Sequence, residues 1–131
     1  LTATVYTDSI ETNYPGKEKD FDKELAYSSS WFNAKKYPKA VFRSNKIQLT
    51  GKNTGKVYGE LSFLGITQPL ILDVTFNGGY EKKPFVGLPA LGFSAQTSLT
   101  RSLWGLSTYV PAIGDNVDIH IECEFHKNPN E

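Results

Sequence analysis

The 131-residue chain has one cysteine, two histidines and no surplus of either charge. The lone Cys123 excludes an intrachain disulfide and is silent about redox compartment. Lys plus Arg and Asp plus Glu both total 14, so net charge is zero. Phosphate binding needs a basic surplus on one face, so nucleic acid is not an expected partner. No apolar run reaches the length of a membrane-spanning helix. There is no Gly-x-Ser-x-Gly, no Walker-type loop, no dinucleotide glycine fingerprint and no cysteine pair, so the common catalytic templates are absent and no cofactor is implied. No signal peptide is visible, but the chain opens on Leu1 and passes at once into a strand pattern, so nothing about export follows.

What is present is strand-like alternation and aromatic side chains. Residues 91–125 organise the chain. In residues 116–125, Val117, Ile119, Ile121, Cys123 and Phe125 alternate with polar neighbours, a period of two that argues for a half-buried strand. In residues 91–101, Leu91, Phe93, Ala95, Thr97 and Leu99 alternate with Gly92, Ser94, Gln96, Ser98 and Thr100. A strand of eleven residues would span roughly 35 Å, which suits a tall barrel or a large curved sheet. Seven Tyr, eight Phe and two Trp fit a β-rich core first and an apolar ligand cavity second.

Upstream, residues 1–10 read as a strand and residues 11–19 as a polar stretch with a Pro-Gly turn. Residues 20–25 suit a short helix with Asp20 as N-cap and Phe21 and Leu25 four apart on one face. Ser28–Ser30 offer a second N-cap before Trp31 and Phe32. Residues 40–49, 57–64 and 69–76 read as strands, the last two joined tightly through Gly65, Ile66 and Thr67 as a hairpin. Asn77, Gly78 and Gly79 end that hairpin, residues 82–89 form a loop and residues 126–131 a frayed polar tail. Six strands with little helix predict an all-β antiparallel meander in a single domain spanning residues 1–131.

Three polar features carry chemical interest. His120, Glu122 and Glu124 form an outward His-x-Glu-x-Glu row that could chelate a metal, although a solvated strand face is the preferred reading, and no metal site is assigned. Asp115 and Asp118 flank the last strand as turn and surface residues. Arg101 sits at a strand end on the apolar parity, where a charge pairs with an acid at the rim or binds an anionic ligand head. Cys123 lies on the apolar face as a small hydrophobe.

Several blocks in order resemble the YceI-like, polyisoprenoid-binding family. These are SIETN at residues 9–13, Asp22 with Leu25, WFNAKKYPKAVFRS at 31–44, GELSFLGITQPLILDVTF at 59–76, RSLWGL at 101–106 and IGDNVDIHIECEF at 113–125. The family's Asp before the aromatic-Gly pair is replaced by Leu103. The strands that family members carry before the first block, including a His-Ser element, are not present, so the domain looks N-terminally incomplete. The expected consequence is a sheet with bare edges, covered by a partner chain, by strand exchange in a homodimer, or by residues outside this sequence. The resemblance implies a lipocalin-like antiparallel β-barrel with one short helical segment and a long apolar chain in its lumen. It also implies export to the periplasm or secretion by a bacterium, with a cytoplasmic location left open. The implied partner is an isoprenoid, such as a quinone or its precursor, or another long-chain amphiphilic lipid.

The ligand-contacting set expected on these grounds is Trp31, Phe32, Phe42, Leu61, Phe63, Leu72, Val74, Phe76, Phe93, Leu99, Arg101, Trp104, Tyr109, Ile119 and Ile121. The strand residues line the tail, and Arg101, Trp104 and Tyr109 hold the head. No catalytic residue is assigned. Gly59, Ala95 and Thr97 lie among the large inward residues, a mixture that suits a tube and equally a filled core. The two function readings are therefore non-enzymatic carriage of a long-chain lipid and a solid-core interaction module.

Overall fold

The computed structural model describes residues 1–13, 20–80 and 90–126. The expected turn in residues 14–19, the loop of residues 82–89 and the tail of residues 127–131 lie outside them. Six antiparallel strands follow one another in sequence order, β1-β2-β3-β4-β5-β6, and curl into a half-barrel. They are β1 (Thr2–Tyr6), β2 (Lys39–Leu49), β3 (Thr54–Phe63), β4 (Ile66–Tyr80), β5 (Ala90–Thr100) and β6 (Asn116–His126). One short helix, α1 (Phe21–Tyr27), lies between β1 and β2, with the Asp20 carboxylate accepting from the Lys23 N–H at its N-cap. The serines at 28–30 do not start a second helix. The Ser28 hydroxyl accepts from the Ser30 N–H and closes a turn instead.

Three elements differ from the sequence expectation, each for a local reason. Residues 1–10 split into β1 and a 3-10 turn at Thr7–Ser9, because the Thr7 N–H bonds to the Pro38 carbonyl and its hydroxyl to the Tyr37 carbonyl. The β3–β4 hairpin turns on Leu64 and Gly65, not Gly65 to Thr67. Phe63 pairs with Ile66, and both turn residues have positive φ (54° and 76°), the signature of a two-residue type I′ turn. β4 does not stop at Asn77. The register shifts there by one residue and pairing resumes at Gly78 with Gly92, so a bulge carries the strand on to Tyr80.

Bulges also set which side chains face inward. Between Ser44 and Lys46 the β2–β3 register slips by one. Phe42, opposite Leu61, and Ile47, opposite Val57, therefore both reach the concave face although they are an odd number of residues apart. The core cluster on that face is Phe42, Val57, Leu70, Leu72, Ala95, Leu99 and Trp104, with Ala3, Leu61, Phe63, Val74, Ile119 and Ile121 packed against it.

Candidate functional site

The candidate site is the concave face, and its two ends are built differently. At the end holding Phe63, Ile66 and Leu99, two irregular segments fold over the strands as a plug. One is the turn of residues 28–37, the other the β5–β6 connection, which opens with a 3-10 turn at Arg101–Trp104. Trp104 is only 2% exposed, and its indole N–H donates to the Leu61 carbonyl at 2.9 Å. The Phe32 ring meets the Phe63 ring edge-on, with centroids 5.7 Å apart. Trp31 packs against Tyr109 at 6.2 Å. The Thr108 hydroxyl donates to the Ser30 carbonyl and ties the two segments together.

Arg101 anchors this plug and is 4% exposed. Its Nε donates to the Gly114 carbonyl (2.9 Å), Nη1 to Leu106 (2.8 Å), and Nη2 to Thr108 (2.8 Å) and Ile113 (2.9 Å). A guanidinium has five N–H donors, so four are committed to loop carbonyls. Its Cζ lies 5.7 Å from the Trp31 ring centroid, a cation–π contact. The donors of Arg101 and Trp104, expected to hold a ligand head, are turned into the fold, where they hold the connection in shape. Asp115 completes it by accepting from the Ser102 N–H (2.8 Å) and hydroxyl (2.6 Å). The Ser102 hydroxyl bond, helped by the Ser102 N–H and the Arg101 charge, keeps the Asp115 carboxyl below its ordinary value.

The other end is uncovered among the described residues. Phe76 and Phe93 pair across β4 and β5 with centroids 5.3 Å apart, and Phe93 meets Phe125 edge-on at 5.6 Å. Inward residues here stay in solvent: Leu49 is 81% exposed, Ile47 63% and Phe125 48%. Among the described residues β1 pairs only with residues 39–43 of β2, and no strand flanks that strand's far half on the same side.

The expected site residues thus fall into three groups. Phe42, Leu72, Leu99 and Trp104 are buried in the core, and Leu61, Phe63, Val74, Ile119 and Ile121 pack on it. Trp31, Phe32, Arg101 and Tyr109 belong to the plug, while Phe76 and Phe93 line the uncovered half. Ile47, Leu49, Leu91 and Phe125 also face inward by register, opposite Val57, Gly55, Gly79 and Leu91 in turn, but they were not in the expected set. Strand parity alone would have found Leu91 and Phe125; Ile47 and Leu49 needed the bulge.

His120 lies on the convex face, with its Nε2 2.6 Å from a Glu122 oxygen. The Ser94 hydroxyl bonds the same carboxylate, and these two contacts hold Glu122 below its ordinary value, Ser94 contributing most. Among the described residues no three His, Cys, Asp or Glu side chains converge as metal ligands. No helix among them is long and apolar enough to cross a membrane.

A family model for the YceI-like domain matches residues 1–125. The chain belongs to the YceI-like family. A UPF0312 protein of Pseudomonas putida strain GB-1 is 37% identical over 124 residues, covering 95% of this chain and 60% of that protein. Another from Pseudomonas fluorescens strain Pf-5 is 32% identical over 129 residues, covering 95% and 62%. The chain therefore spans about 60% of the length of the curated relatives it matches. The crystal structure of the Campylobacter jejuni YceI protein superposes with a TM-score of 0.84 at 26% identity, over 97% of this chain and 71% of that one. Burkholderia cenocepacia BcnA superposes at 0.77 with 22% identity, over 95% and 72%, a likeness of fold. The YceI-like barrel supports a binding role in general and leaves the ligand to chemistry.

Proposed function

We propose that this YceI-like chain carries a long-chain apolar lipid, a polyisoprenoid or isoprenoid quinone precursor, without acting on it chemically. The observation that carries the proposal is the uncovered half of the concave face, where Val74, Phe76, Phe93, Ile121 and Phe125 line a surface with no polar group of their own. The plug blocks the far end, so the tail lies in this half, roughly 20 Å long for six residues of strand, and the polar head faces the mouth. Burial of each methylene contributes about 0.8 kcal/mol against water. A prenyl tail leaving a bilayer gains far less, which keeps carriage reversible. The remaining wall is supplied by strands from outside the described residues, from the same protein or from a second copy. Export to the periplasm belongs to the same proposal.

A solid-core module is favoured by one observation. A Cβ on Gly59 would lie 2.7–2.8 Å from the Phe42 ring and 2.3 Å from the Arg43 carbonyl. The space left by that glycine is filled, so the half beside the plug is core and not tube. Native mass spectrometry of protein purified from its own host without detergent, followed by solvent extraction, separates the readings. A prenyl or acyl species near unit occupancy is the expected result. An apo spectrum from folded protein would favour the solid-core module, and the same spectrum reads whether copies pair. Cell fractionation with osmotic shock tests the compartment.

A further inference from the structure

Asn77 stands apart from the other asparagines of the chain: it alone is followed by glycine. It lies in the bulge between β4 and β5. Phe76 pairs with Phe93 and Gly78 with Gly92, so Asn77 is the extra residue, with no partner across the ladder. Its side chain is exposed. Gly78 has a φ of 121°, in a region that residues with a Cβ rarely adopt. A Cβ there would meet nothing within 4 Å. The bulge therefore requires glycine for its backbone conformation and not for lack of room.

That requirement has a chemical consequence. An exposed asparagine followed by a bare, uncrowded peptide nitrogen is the arrangement in which the side-chain amide is lost. The Gly78 nitrogen bonds to Asn77 Cγ, the Cγ–Nδ2 bond breaks, and ammonia leaves with the proton of the Gly78 N–H. The product is a five-membered succinimide, which water opens. Cleavage of the bond from nitrogen to Cγ leaves aspartate at position 77. Cleavage of the bond from nitrogen to the main-chain carbonyl leaves isoaspartate, whose backbone runs through Cβ and Cγ and is one methylene longer.

The surroundings make either product destabilising. Asn77 Nδ2 donates to Ser94 Oγ at 2.6 Å. The Ser94 hydroxyl in turn donates to the Glu122 carboxylate, 2.7 Å from its nearer oxygen. Ser94 has one hydroxyl proton, and Glu122 takes it. A carboxylate at position 77 has no proton to offer, so a second anion would face the Ser94 oxygen with Glu122 beyond it. The bond that ties the bulge to β5 is then replaced by repulsion. Isoaspartate adds its methylene where the ladder is already one residue out of register.

We propose that Asn77 is a deamidation site, and that its conversion to aspartate or isoaspartate loosens the end of the β4–β5 ladder at residues 78–80 and 90–92. The change runs one way and accumulates with the age of the molecule. It acts at the uncovered end of the half-barrel, next to Phe76 and Phe93, and it holds whether or not a lipid is carried.

The folded protein, held at mildly alkaline pH and followed by peptide mass mapping and isoaspartyl methyltransferase labelling, tests the site. Deamidation at Asn77 should run several-fold faster than at any other asparagine while circular dichroism shows the fold intact. Hydrogen exchange should rise at residues 78–80 and 90–92 in the aged protein and, without ageing, in Asn77→Asp. The aged parent gives the same readout should Asn77→Asp fail to fold. Asn77→Gln, which closes only a less favourable six-membered ring, should stay unlabelled. Three results would each overturn the proposal: deamidation at Asn77 no faster than elsewhere, deamidation that begins only when urea unfolds the chain, or exchange in the deamidated protein equal to that of the parent.

Discussion

The two ends of the half-barrel begin from the same pattern, apolar side chains on alternate residues of long strands. At the plugged end, Trp104 and Arg101 are almost wholly buried, and every committed donor of Arg101 meets a carbonyl. At the other end, Leu49, Ile47 and Phe125 face inward and stay wet. The strands do not account for the difference. It comes from two irregular segments laid over one end and locked to each other at Thr108 and Ser30. Alternation makes a face, and only something laid across that face makes a core. Stability is therefore concentrated at one end, and the surface proposed to take a ligand lies at the other.

Substitutions can break or sharpen that contrast. The largest effect is expected for Trp104→Ala, which empties the most buried site and removes the indole's bond to the Leu61 carbonyl. It should cost about 4 kcal/mol in urea denaturation. Arg101→Leu leaves four carbonyls without their donor and should cost about 3 kcal/mol. Arg101→Lys should recover little of this, because an ammonium cannot reach the same four carbonyls. Gly59→Ala should cost about 2 kcal/mol, since the Arg43 carbonyl and the Phe42 ring have to give way.

A smaller effect concerns acid. The folded carboxyl of Asp115 titrates below its ordinary value of 3.8, so the unfolded chain binds its proton more readily. Its contribution is fully present above about 3.8 and is lost as pH falls through the lower folded value. Melting temperature measured from pH 2 to pH 6 should therefore rise less steeply in Asp115→Asn than in the parent; an identical slope would remove Asp115 from the acid response. The smallest effect on stability, below about 1 kcal/mol, is expected for Phe125→Ala, because the side chain is half in water already. That substitution should instead lower the amount of co-extracted lipid. A loss of stability equal to that of Trp104→Ala would erase the distinction between the two ends.

Much of the sheet was legible in the sequence. The alternation in residues 91–99 and 117–125 placed the inward residues of β5 and β6 correctly, because a period of two survives any register. The capping of α1 by Asp20 was legible too, being local. Two glycines after Asn77 looked like the end of a strand, whereas they lie beyond a bulge; a single inserted residue leaves no mark on the pattern and is resolved only by the partner strand. Arg101 was read from its parity as a charge at the mouth. Its actual surroundings are carbonyls between residues 106 and 114, whose convergence depends on how the connection folds back. The same holds for Trp31 and Phe32: their burial was foreseeable from composition, their partners Tyr109 and Phe63 were not.

The Thr108–Ser30 hydrogen bond joins positions 78 residues apart in the chain. From β1 to β6, every ladder in the sheet joins strands that follow one another in sequence. Contacts between sequence neighbours close small loops and form early, whereas a contact across most of the chain pays for a large loop and waits. The sheet can therefore zip up hairpin by hairpin before the plug has anything to close upon. The protein's slowest structural event is then the arrival of its lid. An observer following tryptophan fluorescence, from Trp31 and Trp104, both in the plug, should see it settle after the strand signal in circular dichroism has already reached its final value.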